Sequence, residues 1–177
     1  MLRKLVIAVV AIASANAASA ADPITVPLDS AGRGVPVTDT VSDWSGFYAG
    51  VYGAARADDG NGAQGGLGVA VGVNAQIDFV LIGAEVNLQG LTGDTIDTAY
   101  GSVVGRTGLL VDDDILIYAA TGLGWDLAGG QTDLLAGGGV EFALNDQLSL
   151  NAQYLRGFDP AGDETSDQFT LGARFQF

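Results

Sequence analysis

The chain has 177 residues, 48% of them hydrophobic, with 21 acidic against seven basic side chains and neither cysteine nor histidine. The acidic balance argues against nucleic-acid binding, which rewards basic surfaces. Without Cys or His there is no disulfide framework, no Ser-His or Cys-His nucleophile, and no His-ligated zinc or haem.

Residues 1–20 read as a secretory signal peptide. Arg3 and Lys4 form a basic start, Leu5 to Ile12 an apolar core, and Ala18-Ser19-Ala20 a small-residue cleavage site. The apolar run is far short of the ~20 residues of a spanning helix. With this leader removed, five arginines remain against 21 acids, a net charge of −16. The remaining 157 residues suit one domain. Residues 21–42 read as a flexible periplasmic linker, interrupted by Pro23, Pro27 and Pro36. It could run free or dock on a partner or on the mouth of the following domain.

From residue 43 to 177 one pattern repeats. Segments of about ten residues alternate in polarity, separated by short turns and longer polar loops in turn, as in a transmembrane β-barrel. The first predicted strand, 46–56, puts Phe47, Ala49 and Val51 on one face and Tyr48, Gly50, Tyr52 and Arg56 on the other. The second places Leu67, Val69, Val71, Val73, Ala75 and Ile77 outward, with Gly68, Ala70, Gly72, Asn74 and Gln76 inward. Strand three, 80–89, sends Val80, Ile82, Ala84, Val86 and Leu88 out and Gly83, Glu85, Asn87 and Gln89 in. After a loop at 90–99, strand four (100–111) turns Val103, Leu109 and Val111 out and Arg106 in. Strand five (115–125) has Ile117, Leu123 and Trp125 outside and Tyr118 inside. Strand six (132–144) has Leu134, Val140 and Phe142 outside and Glu141 inside. Strand seven (148–156) exposes Leu150 and Tyr154 and encloses Asn151 and Gln153, before a loop at 157–167.

The eighth strand, 168–177, carries Phe169, Leu171, Ala173, Phe175 and Phe177 on one face and Gln168, Thr170, Gly172, Arg174 and Gln176 on the other. In a soluble protein such a face at a chain end would be an aggregation-prone edge. In a membrane barrel it seals the wall and meets lipid. The expected fold is therefore all-β: an eight-stranded antiparallel transmembrane β-barrel, an up-and-down meander with both termini in the periplasm. Outward aromatics near strand ends would form the two interfacial girdles.

The inward ionisable set is Glu85, Arg106, Glu141 and Arg174, with Arg56 nearer the outer mouth. An eight-stranded barrel is only wide enough for side chains to fill it. Buried unpaired charges are costly, so these groups are expected to pair and plug the lumen, with Glu85 and Arg106 in reach on neighbouring strands. The alternative is a narrow, weakly selective path kept open by the inward small residues Gly68, Ala70, Gly72, Gly83, Gly122, Gly124, Gly137 and Gly139. Glu85 and Glu141 could in principle form a two-carboxylate hydrolase, but they lie on strands three and six, on opposite sides. Asp58, Asp59, Asp94, Asp97, Asp126, Asp133, Asp159, Asp163, Glu164 and Asp167 gather at the outer side. They read as a solvated loop surface, or as a site of divalent-cation bridging to lipopolysaccharide. Arg156 points outward at the outer rim, where it could meet a lipopolysaccharide phosphate or snorkel.

Asp43-Trp44-Ser45-Gly46-Phe47-Tyr48, Gly83-Ala84-Glu85, Gly105-Arg106-Thr107-Gly108, and Gly137 to Leu144 followed by Asp146 and Leu148-Ser149-Leu150 resemble the small outer-membrane barrel proteins abundant in alphaproteobacteria, the opacity-like barrel group. The terminal Phe177 is similar to that group's assembly signal. The resemblance implies an integral outer-membrane barrel; members are described as structural surface proteins, narrow porins, adhesins or haem binders. Val104 stands where many members carry a second inward arginine, the outer loops are short, and no lysine follows the leader. The expectation is a monomeric, non-catalytic barrel of the cell outer membrane with a structural, surface-exposed role and no cofactor. Its partners would be outer-membrane lipids, lipopolysaccharide and, through the C-terminal strand, the barrel-assembly machinery. The alternatives are a porin-like channel for small cations or solutes, and a soluble periplasmic barrel holding an apolar ligand on inward-facing apolar residues.

Overall fold

The computed structural model describes residues 43–58, 62–93, 97–127, 129–130, 132–160 and 165–177. The leader (1–20) and linker (21–42) lie outside the described residues. Eight strands follow one another: β1 Gly46–Asp58, β2 Gly62–Ile77, β3 Val80–Gly93, β4 Asp97–Asp112, β5 Ile115–Asp126, β6 Thr132–Asn145, β7 Leu148–Phe158 and β8 Thr165–Gln176. Each pairs antiparallel with its sequence neighbours, and β8 pairs with β1 to close the barrel. Closure leaves no unpaired edge.

Alternation sets which side faces in. Along β2, Leu67, Val69, Val71, Val73 and Ile77 are exposed while Gly68, Ala70, Gly72 and Asn74 between them are buried. The same inversion holds around the wall. Leucine, valine, isoleucine and phenylalanine cover the outside, while the inside mixes Glu, Arg, Gln, Asn and Tyr with a smaller set of aliphatics, Leu81, Leu91, Val104, Leu116, Leu135 and Leu155. The Leu67–Ile77 stretch, at ~3.3 Å per residue and ~40° tilt, rises about 25 Å, the height of a bilayer's apolar band. The outward apolar face rules out the soluble barrel with an apolar interior.

Two-residue turns at 78–79, 113–114 and 146–147 and both barrel termini share one end, here the turn end; the longer connections share the loop end. Asp78 turns the chain at φ 54°, a left-handed conformation that aspartate tolerates in tight turns. The strands run further at the loop end than polarity alone predicts. Much of the expected loops at 90–99 and 157–167 is strand, with Leu91 paired to Thr98, Thr92 to Asp97 and Phe158 to Thr165. Beyond the apolar band neither face must be hydrophobic, so alternation fades while the backbone ladder continues.

Candidate functional site

The lumen holds three tiers of side chains. At the turn end Trp44 lies just before β1 and is only 2% exposed. Its backbone N–H donates to Gln76 Oε1 at 3.0 Å and its indole Nε1 to the Asp113 carbonyl at 3.2 Å. It packs in one cluster with Leu81, Leu116 and Ala143, so an apolar lid covers this end. Gly46 hinges the lid into β1 at φ 128°, a conformation that favours glycine.

Above the lid sits the charge network. Arg174 of β8 reaches both acids: its Nη2 lies 2.6 Å from Glu85 Oε2, and its Nη1 donates to Glu141 Oε2. Arg106 of β4 donates to Glu141 Oε2 at 2.9 Å and, through Nε and Nη2, to Asn74 Oδ1 at 3.0 and 2.8 Å. Ser149 Oγ donates to Glu141 Oε1 at 2.5 Å, and the Tyr48 hydroxyl to Glu85 Oε2 at 2.7 Å. The Tyr48 ring lies 4.7 Å from the Arg106 guanidinium and 5.2 Å from that of Arg174; Tyr118 of β5 lies 5.3 Å from Arg106. Every wall thus contributes a group to one knot. Glu85, Arg106, Glu141 and Arg174 are all 4% exposed or less. Two cations balance two anions, so the plug is neutral, and charged hydrogen bonds offset the cost of burial.

The four expected residues meet, but the pairing differs from expectation. Glu85 pairs with Arg174, and Arg106 pairs with Glu141 rather than with Glu85. Register explains the change. Arg106 stands opposite Gly83, and Gly83 opposite Asn74, in one row across three strands. The missing side chain at Gly83 lets Arg106 lie across that strand to Asn74. Nor are the two glutamates isolated on opposite sides: one guanidinium bridges them, and each accepts charged bonds.

At the loop end Arg56 Nη2 donates to Asp133 Oδ2 at 2.8 Å, the Tyr100 hydroxyl donates to the same oxygen at 2.9 Å, and the guanidinium stacks 4.0 Å from the Tyr100 ring. Gln89 Nε2 donates across the lumen to Gln168 Oε1 at 2.8 Å. Asp133 is therefore no solvated loop acid but an inward partner on β6. The parity that turns Leu134 outward carried that signal. Asp59, Asp94, Asp163 and Glu164 lie outside the described residues. Trp44 was legible only as part of a motif; nothing in its spacing marked a lid.

The inward glycines do not leave a path. Tyr48 lies where a side chain at Gly72 would be, Tyr52 over Gly68 and Gly172, Tyr100 over Gly124 and Tyr118 over Gly139. At Gly122 and Gly137 the backbone of the adjoining strand takes the space. Between the network and the loop-end latch a polar cavity remains, lined by Asn87, Ser102, Asn151, Gln153 and Thr170 among others, with about 10 Å³ of room for a water's centre. That accommodates about one water, not a file of them.

On β8 Phe169, Leu171 and Phe175, and Phe177 just past its end, are exposed, from 47% to 68%, with Ala173 in the same row. The strand is held on both sides, Tyr154 opposite Phe169 on β7 and Val51 opposite Ala173 on β1. The Phe177 N–H donates to the Phe47 carbonyl at 3.0 Å, so the ladder extends to the last residue.

No family model matches the chain, and no curated protein matches its sequence. Solved structures do resemble it. The attachment invasion locus protein Ail of Yersinia pestis aligns at 16% identity and TM-score 0.55, covering 75% of this chain and 97% of Ail. Ail solved as an outer membrane protein in a phospholipid bilayer nanodisc aligns at 15% identity and TM-score 0.50, over 73% of this chain and 99% of that one. Neisserial surface protein A aligns at 16% identity and TM-score 0.53, over 75% of this chain and 98% of its own. At such identities the likeness is one of fold, and the fold this chain shares with them is the small, closed outer-membrane β-barrel.

Proposed function

We propose that this chain is an integral barrel of the cell outer membrane with a structural, surface-exposed and non-catalytic role in the envelope, its lumen closed. The observation that carries this reading is the Arg174 guanidinium spanning Glu85 and Glu141 across a barrel whose outside is an apolar band. Closure by a neutral plug, beneath a second latch and above a tryptophan lid, suits a wall element better than a pore. Neither buried carboxylate is free to act as an acid or base, since both are engaged by guanidinium groups. The turn end then faces the periplasm and the loop end the exterior. The motifs quoted above favour a place in the opacity-like barrel group. The paired walls and apolar β8 fit a monomer inserted by the barrel-assembly machinery through Phe169, Leu171, Ala173, Phe175 and Phe177.

The test is conductance of the folded protein in a planar bilayer, beside Glu85→Gln. Folding is verified first by the mobility shift between unboiled and boiled samples. Silence from the folded wild type is expected. Reproducible openings altered by the substitution would establish a narrow channel instead.

A further inference from the structure

We propose that the outer rim of β5 to β8 is a binding site for a phosphorylated glycolipid of the outer leaflet, with Arg156 as its phosphate ligand. The inference rests on the outer-membrane reading above, which puts the loop end at that leaflet. The rim is unlike on its two sides. On β1 to β4 the described residues exposed near the loop end are small, aliphatic or polar, Ala55, Leu67, Leu88, Thr92 and Ala99 among them, and none is aromatic. On β5 to β8 they are aromatic: Tyr154, Phe158 and Phe169, with Trp125 laid over Gly101 at the same end. Such rings belong at the boundary between headgroups and acyl chains.

Arg156 stands within that arc, exposed on the mainly apolar outer face, with the exposed Asp167 opposite it. The other three described arginines, Arg56, Arg106 and Arg174, all point into the lumen and are ion-paired there. Arg156 belongs to none of the ion pairs of the described residues. Its cross-strand neighbour on β8 is Asp167, whose carboxylate accepts the Tyr154 hydroxyl at 2.5 Å. The guanidinium lies beside the Tyr154 hydroxyl, reaches Thr165 Oγ1 at 3.5 Å, the limit of a hydrogen bond, and lies 5.9 Å from the Phe158 ring. Its neighbour on β6 is Ala136, which leaves the approach open. A cation on a lipid-facing wall needs a counter-charge or water, and its planar fork matches two phosphate oxygens. Its exposure among rings that suit sugar and acyl chains points to a lipid phosphate, which this guanidinium must attract locally because the chain around it, Asp167 included, is acidic.

The experiment is native mass spectrometry of the folded barrel released from micelles doped with bis-phosphorylated lipid A, with the same lipid stripped of its phosphates, or with phosphatidylglycerol. The wild type should retain bis-phosphorylated lipid A in preference to the other two. Arg156→Ala should lower that retention by roughly tenfold or more, and Arg156→Lys should restore part of it, because lysine keeps the charge but not the fork. Arg156→Gln serves as a second variant should the alanine change disturb folding. Equal retention by wild type and both neutral variants would overturn the proposal. So would equal retention of the stripped lipid, or of phosphatidylglycerol. Failure of the wild type to fold in any micelle or vesicle would instead refute the membrane reading on which it rests.

Discussion

Replacing Arg174 by methionine removes one guanidinium from between two buried acids while nearly keeping its volume. The consequences for the two acids differ. Glu141 keeps Arg106 at 2.9 Å and the Ser149 hydroxyl at 2.5 Å. Glu85 keeps the Tyr48 hydroxyl at 2.7 Å and loses its cation. Breaking a buried pair by deleting one partner costs about 3–5 kcal/mol, chiefly from the charge left behind. Urea unfolding of the barrel in lipid vesicles, followed by Trp44 and Trp125 fluorescence, reads this directly. At a slope of about 2 kcal/mol per molar urea, the midpoint should fall by roughly 1.5–2.5 M. Adding Glu85→Gln to Arg174→Met removes the orphaned charge and leaves the Arg106–Glu141 pair intact, so the double variant should recover most of the loss. An Arg174→Met midpoint within about 0.3 M of wild type, or a double variant no better than the single, would refute the plug as drawn.

Val71 lies near the middle of the apolar band, so Val71→Arg should cost about 2–4 kcal/mol in vesicles, and an unchanged urea midpoint would show that this face does not meet lipid. Gly72→Ala puts a methyl into the Tyr48 ring and should destabilise by about 1–3 kcal/mol, whereas Gly53→Ala, with nothing within 4 Å of its added Cβ, should cost clearly less; equal effects would deny the tyrosine–glycine packing. Deleting Phe177, or replacing it with a charged residue, should lower the heat-modifiable barrel recovered from the outer membrane, and normal levels would remove β8 as an assembly signal.

Much of the architecture was legible because period-2 alternation is a local property. Leu67 to Ile77 declare their two faces without reference to any other strand. Once eight such segments are counted, closure follows from the cost of an open edge in lipid. The same parity put Glu85, Arg106, Glu141 and Arg174 inside. It would also have placed Asp133 inside, had its acidity near a loop not been read as solvation.

What the sequence by itself determined is which residues face lipid and which face the lumen, because side-chain direction along a strand needs no partner. Only the tertiary structure decided who pairs with whom. Contacts across the lumen depend on register between strands distant in the chain, and on which neighbour lacks a side chain. Arg106 turns to Asn74 and Glu141 because Gly83 lies flat beneath it; Arg174, left facing both acids, bridges them. Whether the inward glycines made room or were filled was likewise a question of packing, answered by the rings of Tyr48, Tyr52, Tyr100 and Tyr118. A lumen of this diameter is closed or open by a single side chain's reach, and that reach is set by the assembled barrel, not by any one strand.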